Sequence, residues 1–122
     1  MGKRILVVED HEDNRQILRD LLGSAGFEML EAGDGESALR IAAAEQPDLI
    51  LMDVQLPLLD GYEATRRLKS DPRLKAIPII VVTSYALSGE EVRARNAGCD
   101  AYVAKPYSPR QLLAKIRTYL PA

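Results

Sequence analysis

Hydrophobic positions fall into two alternating textures along the chain. One is the short run that is apolar nearly throughout: Arg4 to Val8 (RILVV), Leu49 to Met52 (LILM) and Ile77 to Thr83 (IPIIVVT). Such runs, rich in branched residues, suit strands covered on both faces, as in a parallel sheet. Phe27 to Ala32 (FEMLEA) and Ala101 to Lys105 (AYVAK) have strand length with a weaker signal. The other texture has helical period. Ile17, Leu18, Leu21 and Leu22 form a stripe within Asp13 to Ala25, and Gly26 follows where a C-cap belongs. Ala38, Leu39, Ile41 and Ala42 repeat it within Glu36 to Glu45, which Pro47 stops. Tyr62 to Lys69 and Gly89 to Ala97 predict a third and fourth helix. Pro109 to Leu120 predicts the last, with Leu112, Leu113, Ile116 and Leu120 on one face and Pro109 in the first turn.

The result is five β-then-α units with no repeat and no linker. Such alternation predicts an α/β fold, a parallel sheet with right-handed crossovers and helices on both faces, as one domain over residues 1–122. The pattern leaves the strand order open. Composition adds little: apolar residues make up 47% and charged residues 28%, as in an ordinary globular protein. The net charge of −2 gives no global attraction to nucleic acid or anionic lipid. No apolar run approaches the roughly 18 residues that span a bilayer, and the basic–apolar start is too short for a secretory signal. The single cysteine, Cys99, excludes an internal disulfide. The expected location is the cytoplasm.

Ligands of such sheets sit at the carboxyl ends of the strands, so the residues there decide the chemistry. They are Glu9 and Asp10, then Asp53, then Thr83 and Ser84, then Lys105 and Pro106. Each has an ordinary reading: Asp10 caps a helix, Glu9 is solvated, Thr83 and Ser84 form a turn, and Lys105 is a surface charge. Asp53 is harder to dismiss. A carboxylate directly after four apolar residues must be hydrated, paired or bound to a metal. Clustered carboxylates need a neutralising cation, and oxygen donors favour Mg²⁺. Such a site suits a phosphoryl group: Asp53 as nucleophile forming an aspartyl phosphate, with Lys105, Thr83 and the metal balancing the transferred charge. His11 sits at a loop-to-helix junction with no second His or Cys nearby and is read as neither ligand nor phosphoacceptor. Cys99 is read as packing before the last strand.

The stretches VVED (Val7 to Asp10), LILMDVQLPLLDGYEA (Leu49 to Ala64), VVTS (Val81 to Ser84) and YVAKP (Tyr102 to Pro106) make the whole chain resemble a response-regulator receiver domain of two-component phosphorelay signalling. Thr83 follows Asp53 by thirty residues and Lys105 by fifty-two, in keeping with that family. The resemblance implies a three-layer αβα sandwich, a doubly wound (βα)5 fold with flavodoxin-like strand order 2-1-3-4-5. It implies that Asp53 is the phosphoacceptor, served by a histidine kinase or histidine phosphotransfer protein. Glu9, Asp10, Asp53 and the backbone carbonyl of Gln55 would hold Mg²⁺, with Mn²⁺ able to substitute and Glu9 acting largely through a water. Lys105 would pair with the phosphoryl group, Pro106 would follow a cis peptide bond, and Thr83 and Tyr102 would form the switch pair.

Departures from the family pattern bear on kinetics. Ser84 stands where a smaller residue is usual, and Gln55 and Tyr85 occupy positions that tune the access of attacking water. The bulk of Tyr85 predicts a long-lived phosphoryl group. Tyr85→Ala is expected to speed the decay of the phosphorylated protein, and an unchanged decay rate would contradict this role.

The leading function is a stand-alone phosphorylation switch, not an enzyme acting on external substrates, with output through a downstream protein. The face of the fourth helix, fifth strand and fifth helix would carry that output or a homodimer, with Glu90, Glu91, Arg93, Arg95, Arg110, Lys115 and Arg117 giving it mixed charge. No DNA-binding or membrane-binding segment is expected. A receiver from a hybrid sensor kinase is the alternative. An aspartate-nucleophile phosphohydrolase would need a second acid where Gln55 stands, and a phosphorylation-independent relative would be expected to lose an acid or the lysine.

Overall fold

The computed structural model describes residues 2–83 and 90–121. Ten elements alternate along the chain: β1 (Arg4–Val8), α1 (Glu12–Ser24), β2 (Glu28–Ala32), α2 (Gly35–Glu45), β3 (Leu49–Asp53), α3 (Gly61–Ser70), β4 (Ile79–Thr83), α4 (Glu90–Ala97), β5 (Ala101–Ala104) and α5 (Pro109–Tyr119). All strand pairings are parallel, in the order β2-β1-β3-β4-β5. The order left open by the hydrophobic pattern is therefore the doubly wound, flavodoxin-like one. Its connection reverses beside β1 and β3, which places the crevice between their carboxyl ends.

The apolar runs behave as buried strands should. Every residue of β3 and β4 is buried, and their alternate side chains feed two separate cores. Leu6, Val8, Ile50, Met52, Ile79 and Val81 face α2, α3 and α4, where they meet Ala38, Tyr62, Leu68 and Ala94. Ile5, Val7, Leu49, Leu51 and Ile80 face α1 and α5, against Leu18, Leu22, Leu112 and Ile116. Period-two alternation puts successive residues of one strand in opposite layers, so a one-residue slip of β3 would exchange its two faces.

Two expectations change in detail. The fourth apolar run starts as a strand only at Ile79, since Pro78 has no N–H for the ladder, although its carbonyl accepts from Ile50 N at 2.9 Å. The stripe of α1 is narrower than its sequence suggests. Leu18 and Leu22 are buried, but Ile17 is 63% exposed on the helix flank. Cys99 packs half-buried against the α3–α4 core, and burial pushes its thiol up to about 11, so it carries no thiolate at neutral pH.

Several helix ends are closed by side chains. Asp34 and Asp60 accept from the amides of Ser37 and Glu63 at the starts of α2 and α3. Ser108 and Gln111 form a reciprocal capping box on α5. At the sheet's amino edge, Lys69 Nζ donates to Asp100 Oδ2 at 2.8 Å and to the carbonyls of Lys75 and Ile77, and the same Asp100 oxygen accepts from Ile79 N. This cluster ties α3 to the start of β4 at the end remote from the crevice. Among the described residues, no helix is long and apolar enough to cross a membrane.

Candidate phosphoryl-acceptor site

Parallel strands end together, so the residues that follow β1, β3, β4 and β5 meet at one edge. Asp53 closes β3, stays 6% exposed, and pairs in register with Val82. Its Oδ1 accepts from Gln55 N at 3.1 Å, and its Oδ2 lies 3.3 Å from Lys105 Nζ. Lys105 also reaches towards Glu9, with Nζ 3.8 Å from Oε2. One ammonium therefore bridges two buried carboxylates from strands that are neighbours in space and far apart in sequence.

Glu9 is 4% exposed, and its Oε1 accepts from His11 N at 3.0 Å and Asn14 Nδ2 at 3.3 Å. Burial and the charge and hydrogen bonding of Glu9 push the Asp53 carboxyl up to about 6, while Lys105 and the Gln55 amide oppose the rise. Burial raises Glu9 as well, but hydrogen bonds from Asp53, His11 and Asn14, together with the Lys105 charge, leave it below the usual range. Of the two acids, Asp53 is therefore the one whose charge the site disfavours.

Asp10 projects outward from the same turn, 3.0 Å from His11 Nδ1. Glu9, Asp10 and His11 bring three possible ligand atoms within 4.8 Å of one another. His11, read from the sequence as neither ligand nor phosphoacceptor, is a neighbour of both acids, and its Nδ1 is 3.1 Å from Glu9 Oε1. Asn14 was likewise illegible as a site residue. Its only signal is a polar residue in the first turn of a helix that begins directly after the acid pair.

Thr83 ends β4 at 1% exposure, and its carbonyl accepts from Lys105 N at 2.6 Å. The peptide between Lys105 and Pro106 is cis. Tyr102 stands opposite Val81 in register and packs half-buried against the α3–α4 core. Two residues further along each strand, Thr83 and Ala104 are partners, so Thr83 and Tyr102 belong to the same face of the sheet. Ser84 and Tyr85 lie outside the described residues, as does Gly89 at the expected start of the fourth helix; Gln55 follows Asp53 with its residue exposed.

The loop from β3 to α3 brings its own backbone against Asp53. Gly61 N donates to Val54 O at 3.0 Å, and a methyl group placed on Gly61 would come within 2.1 Å of the Asp53 carbonyl oxygen. Beside the acids, a cleft of about 740 Å³ runs from Asp53, Glu9 and Lys105 past Tyr107 and Leu21 to the exposed Ile17.

A doubly wound sheet that gathers buried acids, a lysine and a threonine at its switch point defines a class, the phosphorylation-dependent signalling switch. A family model for the response regulator receiver domain matches residues 5–117. The chain belongs to this family. It is 44% identical over 120 residues to the polar-differentiation response regulator DivK of Brucella anthropi, with 98% of each chain covered. Its fold matches the receiver domain of a sensor histidine kinase from Pseudomonas aeruginosa PAO1 with a TM-score of 0.92 at 35% identity, each chain covered in full. That structure has a magnesium ion coordinated in its active site cleft. The chemotaxis protein CheY4 of Vibrio cholerae matches with a TM-score of 0.91 at 27% identity, over 98% of this chain and 99% of its own.

Proposed function

We propose that Asp53 accepts a phosphoryl group from a histidine kinase or histidine phosphotransfer protein, with Mg²⁺ (or Mn²⁺ in its place) held by Glu9, Asp10, Asp53 and the Gln55 carbonyl. The observation that carries this reading is the bridging of buried Asp53 and Glu9 by Lys105. A carboxylate raised to about 6 by burial and a neighbouring acid is in an environment suited to a divalent cation. The donor set fits: carboxylates and a peptide carbonyl are the hard oxygen ligands Mg²⁺ prefers. When bound, Mg²⁺ would supply positive charge that offsets acid–acid repulsion and the negative charge of the incoming phosphoryl oxygens.

The chain's own residues supply the rest. The Gln55 amide and Lys105 orient the two Asp53 oxygens, so one can attack phosphorus in line with the departing imidazole of the donor. The P–N bond breaks as the P–O bond forms, and the imidazole nitrogen keeps the electron pair. Lys105 then turns from a carboxylate partner into a phosphoryl partner. Thr83, buried at the next strand end, offers a hydroxyl that the new phosphoryl oxygens draw inward. Tyr102, on the same face of the sheet, follows into the space beside it. The phosphoryl group favours this arrangement because it binds it better, which is a population shift.

Output passes through the face of α4, β5 and α5. Arg93, Arg95, Arg110, Lys115 and Arg117 are exposed there, and the side chains of Glu90 and Glu91 lie outside the described residues. This mixed face suits a downstream protein partner or a second copy of the chain better than DNA. The apolar cleft running to Ile17 suits docking of the phosphodonor within reach of Asp53. A stand-alone switch is supported by the DivK relative, whose whole length is nearly matched. The Pseudomonas relative keeps a receiver within a hybrid kinase as the second reading. Gln55 in place of an acid argues against turnover of external substrates.

Incubation with Mg²⁺ and a small-molecule phosphodonor is expected to add one phosphoryl group, read by intact mass, and Asp53→Asn to abolish it. Equal labelling of Asp53→Asn, or no labelling of the wild type with or without a kinase, would overturn this function.

A further inference from the structure

We infer that Arg15, in the first turn of α1, is a positioning residue that holds the Glu9–Asp10 peptide in the geometry the divalent cation requires. The inference rests on the metal reading above and concerns a residue that neither sequence motif nor family resemblance marked. Arg15 Nη1 donates to the backbone carbonyl of Glu9 at 2.6 Å. The amide of Glu9 is fixed as well, donating to Ala32 O at 3.0 Å as the last rung between β1 and β2. Both backbone groups of Glu9 are therefore occupied. A peptide unit is planar, so fixing the Glu9 carbonyl also fixes the nitrogen and Cα of Asp10. The residue with the exposed acid is aimed by a bond made one residue before it.

Arg15 is itself held. Its Nη2 and Nε donate to Glu12 Oε2 at 2.7 and 3.1 Å, and Nε lies 3.3 Å from Glu31 Oε1. Its side chain is only 20% exposed, so its fork is set before it meets the carbonyl. Arg19, one helical turn on, provides a natural comparison. It bonds the same two acids, Glu31 at 2.6 and 3.0 Å and Glu12 at 3.3 Å, and no bond from it to the Glu9 carbonyl accompanies them. The two arginines share their acidic partners; Arg19 spends its Nη1 on Gln16 Oε1 at 2.6 Å, where Arg15 spends its own on the Glu9 carbonyl.

The charge effect and the positioning effect have opposite signs. Removing a cation near a cluster of acids makes Mg²⁺ binding tighter by electrostatics alone. Loss of a group that orients ligands makes it weaker, commonly by 10-fold or more. Calorimetric titration of Mg²⁺ into Arg15→Met is expected to show about 10-fold weaker binding. Arg15→Lys, which keeps one donor for the carbonyl, recovers part of the loss, and Arg19→Met stays within about twofold of wild type. Thermal melts in chelator establish that each variant is folded, and a purely structural role for Arg15 would lower those melts without changing the affinity. Binding by folded Arg15→Met as tight as wild type or tighter, or equal weakening in Arg19→Met, overturns the inference. Asp10→Asn serves as the separate control: if the wild type binds no Mg²⁺, or Asp10→Asn binds it equally well, the metal reading fails instead.

Discussion

Gly61→Ala is expected to unfold the acceptor end of β3, lowering the thermal midpoint by about 10 °C or more and abolishing phosphorylation together with stability. The added methyl would lie 2.1 Å from the carbonyl oxygen of Asp53 and 2.9 Å from the Cα of Val54. These are backbone atoms, so no rotamer change relieves the clash. Either α3 withdraws from the sheet or the end of β3 bends. Withdrawal would uncover Tyr62, Ala64 and Leu68, all essentially buried, and bending would misplace the carboxylate itself. Overpacking ordinarily costs about 1–3 kcal/mol, and a backbone clash of this depth belongs at or above the top of that range. A melt of Gly61→Ala within about 2 °C of wild type would show that the loop yields more easily than this packing implies.

The second large effect concerns pH. Without a metal, wild type is expected to lose on the order of 2 kcal/mol relative to Asp53→Asn between pH 4 and pH 8. The Asp53 carboxyl titrates near 6 in the folded chain, against 3.8 as its ordinary value, because burial and then Glu9 disfavour its charge. A raised carboxyl means that the folded state binds the proton more tightly than the unfolded state does. Its contribution is therefore complete below pH 4 and is lost as pH rises through 6. Glu9 is shifted the opposite way, below its usual range, by hydrogen bonds from Asp53, His11 and Asn14 and by the Lys105 charge. Asn at position 53 imitates the protonated acid, since its amide can still donate to Glu9 and its oxygen can still accept from Lys105. The difference between the two melting curves should open with rising pH, and Mg²⁺ should close it for wild type above pH 6. Parallel curves from pH 4 to pH 8 would mean that Asp53 is not strained by its neighbours.

Much of this arrangement was legible in the chain. Four apolar residues followed by Asp53 marked a buried strand ending on a charge, because both the burial of Leu49 to Met52 and the cost of an unpaired acid are local facts. The helices were legible for the same reason: their period and their stop signals lie within a dozen residues. The Asp60-Gly61 pair was legible only in part. It reads as a turn, yet Gly61 is already the first residue of α3 and is required by close approach to Asp53. The positive φ of this loop falls instead on Leu58, whose side chain is fully exposed. Ile17 was counted with the α1 stripe, but a stripe specifies a helix face and not how wide the neighbouring core is.

By itself, then, the sequence determined the α/β class, the ten elements and the set of side chains that end the strands, since these follow from period, propensity and chain neighbours. Tertiary structure alone decided which of those side chains meet. Lys105 lies fifty-two residues from Asp53 and bridges it to Glu9 only because β1, β3, β4 and β5 stand side by side in register. His11, Asn14 and Arg15 meet Glu9 across only two, five and six residues, through the turn from β1 into α1, whose geometry hydrophobic period does not describe. Contacts between distant segments depend on strand order and helix docking, which the two buried faces of the sheet select jointly and no single stretch encodes.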